Sequence, residues 1–186
     1  MEKIKPMSTP TKKKRKIFKK LFLLLFGSIL MFILAMENLN TYSIYYEEQL
    51  ATSEKERRDN IIKATIINLR SLNYEDIPNM RFDFDGINFV ENQNDSTTGH
   101  YPSVSEHAGG YTYFDKNGFS YSFDNNLNLR YGVNSAEQTI LDSTQLNEEQ
   151  LKNEMYETIR PVIKAQNEPG SFNLLWLYKL LKKYSL

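Results

Sequence analysis

Sixteen consecutive residues, Leu21 to Met36 (LFLLLFGSILMFILAM), carry no charge, and a stretch of that kind limits what its part of the chain can become. In a helix rising about 1.5 Å per residue they reach about 24 Å, short of the roughly 30 Å hydrocarbon core of a bilayer. Ile17 and Phe18 lengthen the run on one side and Leu39 on the other, while Lys19 and Lys20 can curl their ammonium groups back to headgroup level. The sequence therefore predicts one transmembrane helix over residues 17–39, a basic tail over 1–16 and a folded domain over 40–186.

Lys12, Lys13, Lys14, Arg15, Lys16, Lys19 and Lys20 directly precede or enter the run, and Glu37, Tyr42, Tyr45, Tyr46, Glu47 and Glu48 follow it. The positive-inside rule makes those seven cations a topology signal, with the tail in the cytoplasm and the domain outside a single-pass cell-membrane protein. The three tyrosines fall where an interfacial aromatic belt is expected. A cleaved signal peptide shares this layout. Here Ile33 and Ala35 would have to supply its small-residue pair and the basic region is long, which favours an uncleaved signal-anchor.

Charge follows the same division. Lysine plus arginine and aspartate plus glutamate number 23 each, for a net charge of zero. The first 36 residues hold nine basic residues against one acid, and the other 150 hold 14 basic against 22 acidic. An acidic body repels phosphates, which excludes a nucleic-acid-binding domain. Cysteine is absent, so there is no disulfide framework, thiolate nucleophile, cysteine metal site or lipobox. The length allows one folded domain beyond the anchor.

That domain reads as α+β, an antiparallel sheet (a β-meander) packed with two to three helices. Ser53 with Glu56 forms a capping box, and Ile61, Ile62, Thr65, Ile66, Leu69 and Leu72 recur at helical spacing, predicting a helix over 53–72. Glu54 and Arg58 are ordered as an i,i+4 pair on a solvated face. Met80, Phe82 and Phe84 alternate with polar residues before Asp85-Gly86, and Ile87, Phe89 and Val90 follow, which reads as a hairpin. Residues 91–110 offer little to bury and read as a long, mobile loop. Asn147 with Gln150 is a second capping box, and Leu151, Met155, Ile159 and Ile163 mark a helix over 148–165 that Pro161 is expected to kink or end. Residues 172–186 alternate leucines, Trp176 and lysines. They suit a helix closing the core, which is the expected arrangement, with a helix lying on the membrane surface as the alternative.

Between Tyr111 and Val133 lie two turn signals, Asp115 to Gly118 and Asp124 to Asn126. A three-residue loop 124–126 would pair Phe123 with Leu127, Tyr121 with Leu129 and Phe119 with Tyr131. A two- or four-residue first turn would send Phe114 and Thr112 to that apolar face and leave Tyr111, Tyr113, Ser120, Ser122, Asn128 and Arg130 exposed. A three-residue first turn would bury the two tyrosines instead. The exposed arrangement makes those six residues the candidate partner-binding surface, since exposed tyrosines offer rigid contact area with a polar tip.

No motif carries catalysis, so the domain reads as a non-enzyme with no cofactor and no metal. Both histidines, His100 and His107, fall in the 91–110 loop. Counting from Asp83 or Asp115 puts Asn88 or Ser120 where a calcium loop needs glycine, and Asn94 or Asn126 where it needs glutamate. Nucleotide-binding glycine motifs are missing. Asn94-Asp95-Ser96 matches a glycosylation sequon.

Tyr45-Tyr46-Glu47 soon after the anchor, Ile77-Pro78-Asn79 leading into Phe82-Asp83-Phe84, and the Phe114-Asp115 to Tyr131 meander give a layout that resembles the TipC family of streptococcal immunity proteins. The resemblance implies a membrane-anchored protein of a Gram-positive bacterium. Its curved outer sheet would bind and block a toxin of the type VII secretion system, a lipid II phosphatase. No binding residue transfers individually. The expected partner is thus a secreted protein toxin or other extracytoplasmic protein, and an acidic body suits a basic one through steering. The alternative is a non-catalytic accessory subunit of a secretion, conjugation or cell-wall complex. A weaker third reading is a sensory or enzymatic outer domain.

Overall fold

A computed structural model of the chain describes residues 12–94, 96, 99–107, 109–134, 136–141, 144 and 146–184, with side chains from residue 17 onward. Of the basic topology signal, only Lys19 and Lys20 have described side chains; the rest of the predicted tail, and Asp95 of the sequon, lie outside the described residues or side chains. The chain divides after Asn38 into two units.

The first unit is helical. Helix α1 runs Lys12–Thr41, and its segment Ile17–Thr41 is long and apolar enough to cross a membrane. Leu23, Leu24, Phe26 and Phe32 are all exposed, so the apolar surface goes right round the helix rather than forming one stripe. The hydroxyl of Ser28 donates to the Leu24 carbonyl oxygen at 2.9 Å, which satisfies it within the helix, as a bilayer requires.

The second unit is a seven-stranded antiparallel sheet with helices on one face. The strands are β1 (Met80–Asp83), β2 (Phe89–Asn92), β3 (Ser103–His107), β4 (Gly110–Phe114), β5 (Phe119–Phe123), β6 (Leu129–Asn134) and β7 (Thr139–Leu141). Their spatial order equals their chain order, so every connection is a local reversal. Helices α2 (Ser43–Leu50) and α3 (Glu54–Ile67) precede the sheet, and α4 (Glu148–Lys164) and α5 (Leu175–Tyr184) follow it.

Capping starts α3 and α4 where the sequence places them. The Ser53 side chain accepts from the Glu56 amide, and Asn147 accepts from the Gln150 amide. α3 buries Ile61, Ile62, Thr65 and Ile66, and a 3-10 turn at Leu69–Ser71 carries Leu69 and Leu72 into the same core. α4 adds Leu151, Met155, Ile159 and Val162. Pro161 does not end α4; it sits in the last turn, where the missing amide costs a single hydrogen bond. Arg58 does not pair with Glu54. It bonds Asp59 at 2.7 Å and Glu149 of α4 at 2.9 Å, joining the two helices.

The predicted mobile loop contains a strand. β3 pairs with β2 and β4 in the middle of the sheet, and of its residues only Val104 is a large apolar core side chain. Ser103 and Ser105 are nevertheless buried, because Phe114 stands across from one and Phe89 from the other. Gly110, at the start of β4, is required by packing. A Cβ there would lie 1.9 Å from the Phe123 carbonyl oxygen.

α5 does not close the core, since none of its residues is buried. It rests on α2 instead. The Leu174 amide donates to the Tyr46 hydroxyl at 3.0 Å, the Tyr178 ring lies 5.0 Å from that of Tyr46, and both the Tyr178 hydroxyl (2.9 Å) and Lys182 reach the Glu47 carboxylate.

Candidate binding surface

The two hairpin turns decide which side chains face the helices. In the first, the Asp115 amide donates to the Phe119 carbonyl oxygen at 2.9 Å. That leaves a three-residue loop, 116–118, with Gly118 in the left-handed region at φ 85. Asp115 Oδ1 accepts from the amides of Asn117 and Phe119, both at 2.9 Å. Tyr111 therefore lies opposite Phe123 and Tyr113 opposite Tyr121, all four facing the core.

The second turn repeats the device. Asp124 Oδ1 accepts from the amides of Asn126 and Asn128, both at 2.8 Å, and the Asp124 amide bonds the Asn128 carbonyl oxygen. The loop is 125–127, one residue later than the sequence suggests, and the left-handed position is held by Leu127 at φ 63. A leucine there costs on the order of 1 kcal/mol. Its side chain is fully buried, which offsets that strain. A register shift at Ser122/Phe123 then places Leu129 opposite Phe123 and Tyr131 opposite Ser122.

These turns correct the expected surface. Tyr111 and Tyr113 are not exposed but buried at 3% each. Ser120 and Ser122 do lie on the face turned away from the helices, although Ser122 is itself buried by its neighbours. Asn128 and Arg130 are exposed at the β5–β6 turn and bulge, where Asn128 is engaged by Asp124.

The face away from the helices can be followed strand by strand through the pairing. One row runs Arg81, Glu91, Ser103, Phe114, Ser120, Val133, Ile140; the next runs Asp83, Phe89, Ser105, Thr112, Ser122, Tyr131. Phe114, Tyr131 and Ile140 are 39%, 46% and 76% exposed. Ser120 and Ser122 form the low floor between them, so the sequence reading placed this floor on the open face but assigned two of the flanking side chains, Phe114 and Tyr131, to the core. Toward β2 the same face opens into a cavity of about 390 Å³ lined by Phe89, Glu91, His100, Tyr101, Ser103 and Phe114.

Both histidines lie on or beside this face. His107 Nδ1 is 3.4 Å from the Thr112 hydroxyl, while His100 sits beside Gly118. Among the described residues no group of three or more histidines, aspartates and glutamates could hold a metal ion.

Burial raises the hydroxyl pKa of Tyr111 and of Tyr121 from 10.0 to about 12, and raises that of Tyr113 as well. A raised folded-state value means that the neutral phenol stabilises the fold fully below pH 10.0 and that this contribution is lost as pH climbs toward about 12. Alkaline titration of the 12 tyrosines is therefore expected in two phases, the later one coinciding with loss of the circular dichroism signal. A single phase near the ordinary value, with the fold intact, would contradict the burial of these three.

No protein-family model matches the chain, and comparison with curated proteins and with solved structures finds no match.

Proposed function

We propose that the protein is a membrane-anchored, extracytoplasmic immunity protein that binds and blocks a secreted toxin through the open face of its sheet. α1 holds it in the membrane with the N-terminus cytoplasmic, following the basic residues that precede the span. The observation that carries the reading is the patch of Phe114, Tyr131, Val133 and Ile140 on the face turned away from α3 and α4. Contiguous apolar groups left open on a soluble face serve as contact surface. The resemblance to TipC proteins suggests the partner, a type VII secreted lipid II phosphatase, and the acidic balance of the outer domain favours fast encounter with a basic one.

The test is protection of a toxin-producing cell by full-length variants. Replacing Phe114, Tyr131 and Ile140 together by serine is expected to weaken toxin binding at least thirtyfold, the loss of one strong anchor of about 2 kcal/mol, and to abolish protection without unfolding the domain. Full protection by that variant would refute the surface assignment. Exchanging residues 1–39 for an unrelated anchor should leave protection intact. Loss of function in that exchange would favour an accessory subunit that works through its membrane helix.

A further inference from the structure

The outward side of α5 has a composition the proposed toxin-binding face does not explain. Tyr178 and Lys182 point to α2, where Glu47 holds both. On the other side Trp176, Leu180 and Tyr184 follow one another at intervals of four and are 67%, 46% and 71% exposed. Lys179 and Lys183 flank this stripe along one edge and are also exposed.

Local charge is reversed relative to the rest of the domain. From Pro169 to Leu186 there are three lysines and no acid. A soluble domain of acidic character gains nothing by solvating an indole and a leucine beside exposed lysines, of which Lys183 lies over the Tyr184 ring at 5.5 Å, whereas an interfacial helix needs all of these groups. Chain length adds a second constraint. Glu47, the residue that clamps α5, is six residues beyond Thr41, the last residue of α1. Six residues span at most about 20 Å.

We propose that the Trp176–Leu180–Tyr184 face of α5 binds the anionic phospholipid surface of the membrane in which α1 is anchored, with Lys179 and Lys183 meeting lipid phosphates. The tether keeps a short helix of ten residues at high effective concentration, so a modest intrinsic affinity suffices. The site is separate from the open sheet face and rests only on the anchoring part of the proposed function.

Trp176 is the single tryptophan of the chain and reports directly on this contact. Full-length protein is incorporated into vesicles of phosphatidylcholine and phosphatidylglycerol with brominated acyl chains; flotation scores the anchor and tryptophan fluorescence scores α5. Trp176 is expected to be quenched by the bromines and shielded from acrylamide. Each of Lys179→Gln and Lys183→Gln should lower the docked-to-free ratio about fivefold, the contribution of one lysine near an anionic surface. Leu180→Gln should lower it too, and Lys164→Glu, on an exposed site of α4, should not.

A chain that floats with Trp176 unquenched and open to acrylamide overturns the docking while leaving the anchor intact. Quenching that ignores both lysines and phosphatidylglycerol overturns the anionic-lipid assignment. Shielding that arises only when a protein partner is added overturns it in favour of a protein contact. A chain that does not float removes anchor and docking together.

Discussion

Truncating Phe123 to alanine is expected to destabilise the sheet domain by about 3–5 kcal/mol, a large share of the roughly 5–15 kcal/mol that holds a domain of this size together. Phe123 is fully buried, stands opposite Tyr111 on one side and Leu129 on the other, and belongs to the same core cluster as Ile61, Val104 and Met155. Collapse around the missing ring is blocked from two directions. The Phe123 backbone is pinned against Gly110, whose absent side chain leaves no slack there. The following turn is pinned by Asp124 and by the buried Leu127. Urea unfolding followed by circular dichroism, with full-length protein in detergent, measures the loss. A change below about 1 kcal/mol would mean that this corner of the core repacks freely.

Helices α3 and α4 were legible because their signals are local and redundant, whereas α2 (Ser43–Leu50), which has no side-chain cap, was not read as a helix. Ser53 and Asn147 mark the starts of α3 and α4, and the apolar residues at helical spacing are buried except Ile163, whose expected place in the core is taken by Val162. The long apolar helix α1 was legible from composition alone, since a helix able to cross a membrane requires such a run without charge. The pair β1 and β2 followed from alternation around Asp85-Gly86, and the meander from its two turn signals.

What failed was register, where a single residue inverts a face. Both turns use an aspartate that caps its own loop, leaving three residues between the paired ends. Gly118 occupies the left-handed position of the first loop, but Leu127 occupies that of the second. Nothing in the pattern marks a leucine as a turn residue. Reading it as a strand residue displaced the β5–β6 pairing, but the register shift at Ser122/Phe123, which no pattern marks, is what turns Tyr131 out of the core, and the choice made at the first turn moved Tyr111 and Tyr113 out of it. Strand β3 was hidden for a different reason. Its serines are buried by phenylalanines on neighbouring strands, information that is not local to the segment. Of the six residues of the expected surface, on β4, β5 and the β5–β6 turn and strand, the structure therefore turns Tyr111 and Tyr113 to the core face.

Lys152 supports the second large expectation. It is only 2% exposed, yet it carries a charge, with its ammonium 2.7 Å from Glu148 and 3.3 Å from Asp59. Asp59 lies on α3 and Glu148 on α4, and the other oxygen of Glu148 accepts from the Leu129 amide at 3.1 Å, so one cation joins two helices and a sheet strand. Replacing it by methionine keeps most of the volume and removes the charge, leaving two carboxylates near each other with less to balance them. Asp59 retains Arg58 at 2.7 Å, which places the expected loss at the low end of the range for breaking a buried pair, about 3 kcal/mol. Adding Glu148→Gln to Lys152→Met removes one of the uncompensated charges and should recover part of that loss, because a neutral amide can still accept from Leu129. The two single variants and the double, compared by urea unfolding, separate the explanations. Recovery in the double shows that the cost was stranded charge. An equal or greater loss in the double shows instead that the cost lies in the lost bonds of the ammonium and in the hold of Glu148 on the Leu129 amide, because methionine keeps the stem packing.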